Sequence, residues 1–215
     1  YEDLGVLVPP SENRDFTISL VSLDSPQKYG ELESSFCDDF DYKIVAHADA
    51  DQNVNIRIYR NEYNVEAIPL SFYNRENQNV YPYRREDFMR GFWNTTRTFG
   101  QLIPGFRDSD VDGVLQKIGT FDFIFYYLKR SATKYDESRF FYRQCPYNLR
   151  KSWLDKFGGI KLFRDNFRVR PYGEKNDSAF DWLGIGMRKN NSPAGIAKKQ
   201  GGYRVESENI AGSIL

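Results

Sequence analysis

The stretch GGIKLFRDNFRVRPYG, Gly158–Gly173, decides how the second half of the chain is read. Asp165 and Asn166 separate two segments in which apolar and polar residues alternate, and a two-residue Asp/Asn connection tolerates the positive φ that tight hairpins demand. The pattern predicts a β-hairpin. With those two residues in the turn, Arg164 faces Phe167, Phe163 faces Arg168, Leu162 faces Val169 and Lys161 faces Arg170. Ile160, Leu162, Phe167 and Val169 then share one face. Lys161, Arg168 and Arg170 surround Phe163 on the other, with Arg164 near the tip. Such a ribbon is either a half-buried hairpin with a solvated charged face or a surface that meets an anion.

Upstream, CPYNLRKSWLDKFGG reads as a helix: Asn148 can cap it, Leu149, Trp153 and Leu154 share a face, and Gly158-Gly159 supplies the stop. GTFDFIFYYLKR is the clearest strand, with Phe121, Phe123, Phe125 and Tyr127 on one side and Ile124, Tyr126 and Leu128 on the other, so both faces should be buried. DSDVDGVLQKI before it predicts a short helix capped by Ser109 or Asp110. Nearer the start, DFTISLVSL (Asp15–Leu23) alternates like a strand, and SPQKYGELESSFCDDF (Ser25–Phe40) has the Ser-Pro start and early acids of a helix. YKIVAHA (Tyr42–Ala48) and NVNIRIYRN (Asn53–Asn61) predict two strands around the turn DADQ. From Phe72 to Arg107 no clean period emerges, which predicts long connections and a short helix near Glu86–Asn94. After DWLGIGMRK, the run NNSPAGIAKKQGGYRVESEN reads as an exposed basic loop, and NIAGSIL as the start of a strand. A domain seldom stops inside a strand, so both ends are expected to continue into a longer protein.

A chain of 215 residues, 40% hydrophobic and 28% charged, describes one large or two small globular domains and excludes a disordered chain. No apolar run approaches the roughly 18 residues of a membrane-spanning helix, and YEDLGVLVPP lacks the basic start and apolar core of a signal peptide. The expected location is cytoplasmic. Cys37 and Cys145 are read as reduced thiols; with one histidine and no Cys-x-x-Cys pair, a zinc site is not expected. His47 lies in an alternating run and reads as a strand residue, the alternative being a catalytic base without a nucleophile nearby. Asp38, Asp39 and Asp41 read as a solvated turn rather than a calcium cage. The net charge is zero but uneven: residues 1–138 hold 15 bases and 23 acids, and residues 139–215 hold 15 bases and 7 acids. The C-terminal part is therefore expected to meet something negative.

FGGIKLFRDNFRVRPYG, followed by DWLGI, a basic loop and NIAGSI, resembles the segment after the ATPase domain in bacterial proteins of the GHKL superfamily. That superfamily includes DNA gyrase B, the ninety-kilodalton heat-shock chaperone, histidine kinases and MutL, and the likeness is greatest to its large chaperone-like ATP-binding proteins. It covers Gly119–Leu215; before Gly119 it rests on element order. The resemblance implies a transducer, or middle, domain over 61–215, with 1–60 as the trailing part of an ATPase domain or a bridge. It implies an α/β (α+β) sandwich, a mixed sheet with helices on one face, like the second domain of ribosomal small-subunit protein five. The family's ATP pocket needs an acid-x-x-x-Asn helix, an Asp-x-Gly-x-Gly turn and a Gly-rich lid, none of which this sequence carries. The implied role is thus coupling without hydrolysis by this chain. ATP and magnesium would be held by a separate upstream domain, which would be its partner; a homodimer is open, and no membrane partner is implied.

In this family a basic residue of the transducer reaches the γ-phosphate, but its loop would begin beyond Leu215, so no catalytic residue is carried over. Lys161, Arg164, Arg168, Arg170, Arg188, Lys189, Lys198 and Lys199 are the candidates for phosphate or interdomain contacts, against the alternative of a solvated or internally paired basic surface. Trp182 reads as a core anchor or a stacking platform. A second class of function is a nucleic-acid-binding module without ATP coupling, in which Phe163 and Tyr203 lie among the bases. A third is a protein-interaction scaffold, supported by the aromatic segment Phe72–Arg107.

Overall fold

The computed structural model describes residues 18–19, 31–32, 37–73, 84–103, 105, 113–114, 117–165, 167–191 and 205–215. They form a mixed α/β fold of two compact units, one of residues 39–148 and one of residues 1–38 together with 149–215. In the second of these, β1 (Ile18–Ser19) pairs antiparallel with β2 (Glu31–Leu32). Of the strand expected at Asp15–Leu23, Ile18 and Ser19 form β1 and the other residues lie outside the described ones. The helix expected over Ser25–Phe40 is not continuous, because Glu31 and Leu32 are extended and give their backbone groups to a neighbouring strand.

In unit 39–148, β3 (Tyr42–Ala48), β4 (Asn53–Arg60), β5 (Phe92–Thr98) and β6 (Phe121–Tyr127) pair antiparallel in the order β5-β4-β3-β6. The β3–β4 turn is set by Asp49, whose carboxylate accepts from the backbone N–H of Asp51 at 3.0 Å and of Asn53 at 2.8 Å. Those bonds hold the Asp49 carboxyl below its ordinary pKa, the Asn53 backbone contributing most. Gln52 takes the positive φ, 63°. Ala46 and Ala48 stand opposite Phe123 and Phe121 in the register, so small side chains leave room for large ones. Both alanines are buried with Val54 and Phe99, and Ile56, Ile103, Phe121 and Phe123 pack against them. That buried set lies on one face of the sheet. Along β6, Tyr126 and Leu128 are buried but Asp122 is exposed, so the expectation that both faces are covered holds only toward Leu128.

The expected short helix is Arg85–Arg90, stopped by Gly91 at φ 71°. The long connection expected around it is instead strand β5, whose Thr-rich run FWNTTRT favours an extended backbone. Lys134–Phe140 is a further helix, opened by a capping box between Thr133 and Asp136. Of the acids near β3, Asp38 is exposed as a solvated turn requires, but Asp39 and Asp41 are engaged. Asp41 is buried and accepts from the Lys129 N–H at 2.6 Å, and Asp39 pairs with Arg143 at 2.6 Å.

In the other unit, β7 (Gly159–Arg164) follows the helix Tyr147–Phe157 directly and pairs antiparallel with β8 (Phe167–Val169). Leu162 faces Val169, Phe163 faces Arg168 and Arg164 faces Phe167, as the alternation requires. Asp165 has φ 49°, the left-handed turn conformation; Asn166 lies outside the described residues. β9 (Ile210–Ile214) pairs parallel with β7, Gly159 against Ala211, so NIAGSI is the expected strand. Of DSDVDGVLQKI only Gly113, Val114, Lys117 and Ile118 are described; the rest of that predicted helix and most of the basic loop after Asn191 lie outside the described residues. The helix begins at Tyr147, so Asn148 lies within it, and Leu149 is 69% exposed: five residues before Leu154 it points about 140° away, and Arg150 takes the inward position instead. Neither cysteine is in a disulfide; Cys37 is buried and Cys145 partly so.

Candidate functional site

The hairpin motif is built around one buried amine. Lys161 is 8% exposed, and its Nζ donates to the carbonyls of Phe157, Gly158 and Gly159, the last at 3.2 Å. Phe157 ends a helix whose final carbonyls have no partner within the helix, so the amine caps them. Burial pushes the Lys161 amine down to about 7; the nearby Arg168 adds to this and Glu174 opposes it.

Two glycines let the strand come this close. Gly173 has φ 71°, and a Cβ there would lie 2.2 Å from the Ile160 carbonyl oxygen. Gly159 has φ 86°, and its Cβ would meet the Gly173 carbonyl at 2.5 Å. Trp182 donates through Nε1 to the Ile160 carbonyl at 2.8 Å and meets the Tyr172 ring edge-on at 5.1 Å, which is the work of a core anchor. Asp181 accepts from the N–H groups of Ile185 and Gly186, each at 2.8 Å, and so opens the helix Ile185–Asn190.

The basic candidates separate into two groups. Lys161 is internal, and Arg168 is almost wholly covered, donating to Glu174 at 3.1 Å and to the Tyr172 carbonyl at 3.3 Å. Burial lowers the Arg168 pKa, with Glu174 pulling the other way and Arg170 adding to the fall. Arg164 and Arg170 are exposed, the latter 3.4 Å from Glu174, and Phe167 between them is 76% exposed. Phe167 was expected on the covered face with Leu162, and Phe163, expected among the bases, is buried. Arg188 is exposed in the last turn of the helix Ile185–Asn190, and Lys189 pairs with Glu206. Lys198, Lys199 and Tyr203 lie outside the described residues.

Unit 39–148 carries a second polar cluster that the sequence reading passed over. Glu62 is 2% exposed; its Oε1 accepts from Tyr42 Oη at 3.0 Å and from Arg60 Nε at 2.9 Å and Nη2 at 2.5 Å. The guanidinium also lies over the rings of Tyr42, Tyr63 and Phe88. Burial works against the charge of Arg60, but the bonds and charge of Glu62 outweigh it and raise its pKa; burial and then Glu62 push Tyr42 far up as well. Beside the cluster, Arg60, Tyr63, Asp87, Phe88 and Phe92 line a cavity of about 180 Å³. The available signal was Arg60 and Glu62 two apart at a strand end, on one side of the backbone.

Among the described residues no group of three or more His, Cys, Asp or Glu side chains could hold a metal ion, and no helix is long and apolar enough to cross a membrane. No protein-family model matches the chain, and neither a curated protein nor a solved structure matches it.

Proposed function

We propose that this chain is the coupling segment of a GHKL-type ATPase, transmitting nucleotide binding in a separate domain without hydrolysing ATP itself. The observation that carries the reading is the division of labour among the basic residues of the hairpin. Lys161 and Arg168 bind internal acceptors and stiffen the ribbon, while Arg164, Phe167 and Arg170 are exposed. A rigid ribbon with a basic, partly apolar edge suits a neighbouring domain that becomes more negative when it holds a nucleotide. The parallel pairing of β9 with β7 supports the reading too, because it ties the ribbon to the chain that follows. The finer likeness to the second domain of ribosomal small-subunit protein five, and a cytoplasmic setting, belong to the same reading. The residues present do not fit ATP with magnesium: the pocket motifs are missing, and the two covered cations of the hairpin are committed to protein oxygens.

The test titrates ATP and a non-hydrolysable analogue against this chain alone and against the chain joined to the nucleotide-binding domain that the reading places before it. Binding and hydrolysis are expected only in the joined protein. Replacing Arg164 and Arg170 with alanine should lower its hydrolysis several-fold while leaving nucleotide affinity nearly unchanged. Equal hydrolysis with and without those two arginines would remove the hairpin from the coupling path.

A further inference from the structure

We infer that the exposed part of the β5-β4-β3-β6 face opposite the core, centred on Arg57 and Phe92, is a binding platform for single-stranded RNA. This goes beyond the coupling role and uses none of the hairpin residues, so either reading can fail without the other.

One face of this sheet carries the core around Ala46, Ala48 and Val54. On the other, the register sets side chains in three rows running across the strands. The first row runs from Tyr126, which is buried, through Lys43 and Tyr59 to the exposed Phe92, rings with a cation among them. Lys43 Nζ lies 5.5 Å from the Tyr59 centroid and 5.6 Å from that of Tyr126, and the Tyr59 and Phe92 rings are 6.0 Å apart. In the next row Arg57 is exposed, lies over Phe92 at 5.6 Å and donates to Tyr59 Oη at 3.3 Å. The third row is polar: Asp122 with His47 at 2.8 Å, and Thr96 donating to Asn55 at 2.7 Å. All four of these residues are exposed.

A merely solvated sheet face has no need of rings. Here Phe92 is 37% exposed and Tyr59 partly buried, each with a cation at its face, on strands backed by the core. Rings of this kind accept any unstacked base, and a guanidinium lying flat can continue the stack or reach a phosphate. Sheet faces that present rings to solvent bind single strands in this way, taking two or three bases. The polar row selects the sugar. Asp122 and the Asn55 carbonyl are acceptors, and the ribose 2′-hydroxyl is the backbone group of a nucleic acid that can donate to them; deoxyribose offers nothing there. The acids of the β3–β4 turn, Asp49 and Asp51, stand beyond that row, so the phosphates run along the Lys43–Arg57 side.

The test is fluorescence anisotropy of labelled single-stranded RNA of about ten nucleotides, a length within the range one such platform covers, against the whole chain. With two cations meeting phosphates, affinity should fall about seven-fold between 50 and 200 mM salt. Phe92→Ala and Arg57→Ala should each weaken binding by about ten-fold, and DNA of the same sequence should bind more weakly than RNA. Absence of RNA binding overturns the proposal, as do variants that keep their circular dichroism and bind like the original. DNA binding as tight as RNA overturns the assignment of the polar row. If either variant fails to fold, ultraviolet crosslinking of the unmodified chain decides: attachment within residues 53–60 or 92–98 supports the platform, and attachment confined to residues 158–173 overturns it.

Discussion

Lys161→Met removes the buried amine but keeps an unbranched apolar side chain of similar length, so it isolates what that amine does. The free amine can donate two bonds among the carbonyls of Phe157, Gly158 and Gly159. Losing them leaves covered acceptors unpaired, at roughly 1 to 3 kcal/mol each. A loss of about 3 kcal/mol is expected at pH 9.5. The pH dependence is the sharper part. In the unfolded chain the amine keeps its ordinary value of 10.5, whereas in the folded protein burial holds it at about 7. Between those values the unfolded state binds the extra proton, so stability rises with pH by about 1.4 kcal/mol per unit and is lost as pH falls toward 7. The methionine variant has no such slope. The gap between the two proteins should therefore shrink to nearly nothing at pH 7.5. Urea unfolding followed by tryptophan fluorescence suits the measurement, since Trp153 and Trp182 belong to the same unit as Lys161. A gap that stays flat from pH 7.5 to 9.5 would refute the argument, because it would mean that the amine holds its proton in both states.

Glu62→Ala should cost about 3 kcal/mol, the order seen when one partner of a covered ion pair is removed, because Arg60 and Tyr42 Oη lose the acceptor they share; a loss below about 1 kcal/mol in the same unfolding assay would contradict this. Gly173→Ala should destabilise the chain by more than about 3 kcal/mol or prevent folding, since its Cβ falls 2.2 Å from a backbone oxygen at φ 71°. Gly113→Ala, also at positive φ but with open space around it, should cost only about 1 kcal/mol, and equal losses at the two positions would show that the close approach is unimportant.

The hairpin register was legible because Asp165-Asn166 leaves one turn that keeps the alternation of both flanks. β3, β4 and β6 were legible for the same reason. Strand β5 was not: FWNTTRT has few apolar residues, and what makes it extended is a row of backbone bonds to β4 that lies far away in sequence. The helix Lys134–Phe140 left a readable trace, Thr133 and Asp136 at capping-box spacing, in a stretch without strong apolar periodicity. The site divided similarly. That bases gather at residues 161–170 is plain from the sequence; that Lys161 turns inward depends on Gly158-Gly159 joining helix to strand so abruptly that three carbonyls converge on one side chain. The polarity of Lys161 predicted a surface, and the unmet acceptors of a helix end drew it under cover instead.

The parallel partnership of β7 and β9 also sets an order of events during synthesis. β3 meets β4 across a short turn, so that pairing can form as soon as the segment leaves the ribosome. Gly159 must wait for Ala211. Until then one edge of β7 offers bare amide and carbonyl groups, and β8 on its other edge carries an exposed phenylalanine at position 167, a combination prone to joining the wrong chain. The exposed Arg164 and Arg170, just outside the short arm β8, keep the waiting ribbon charged while β9 is being made.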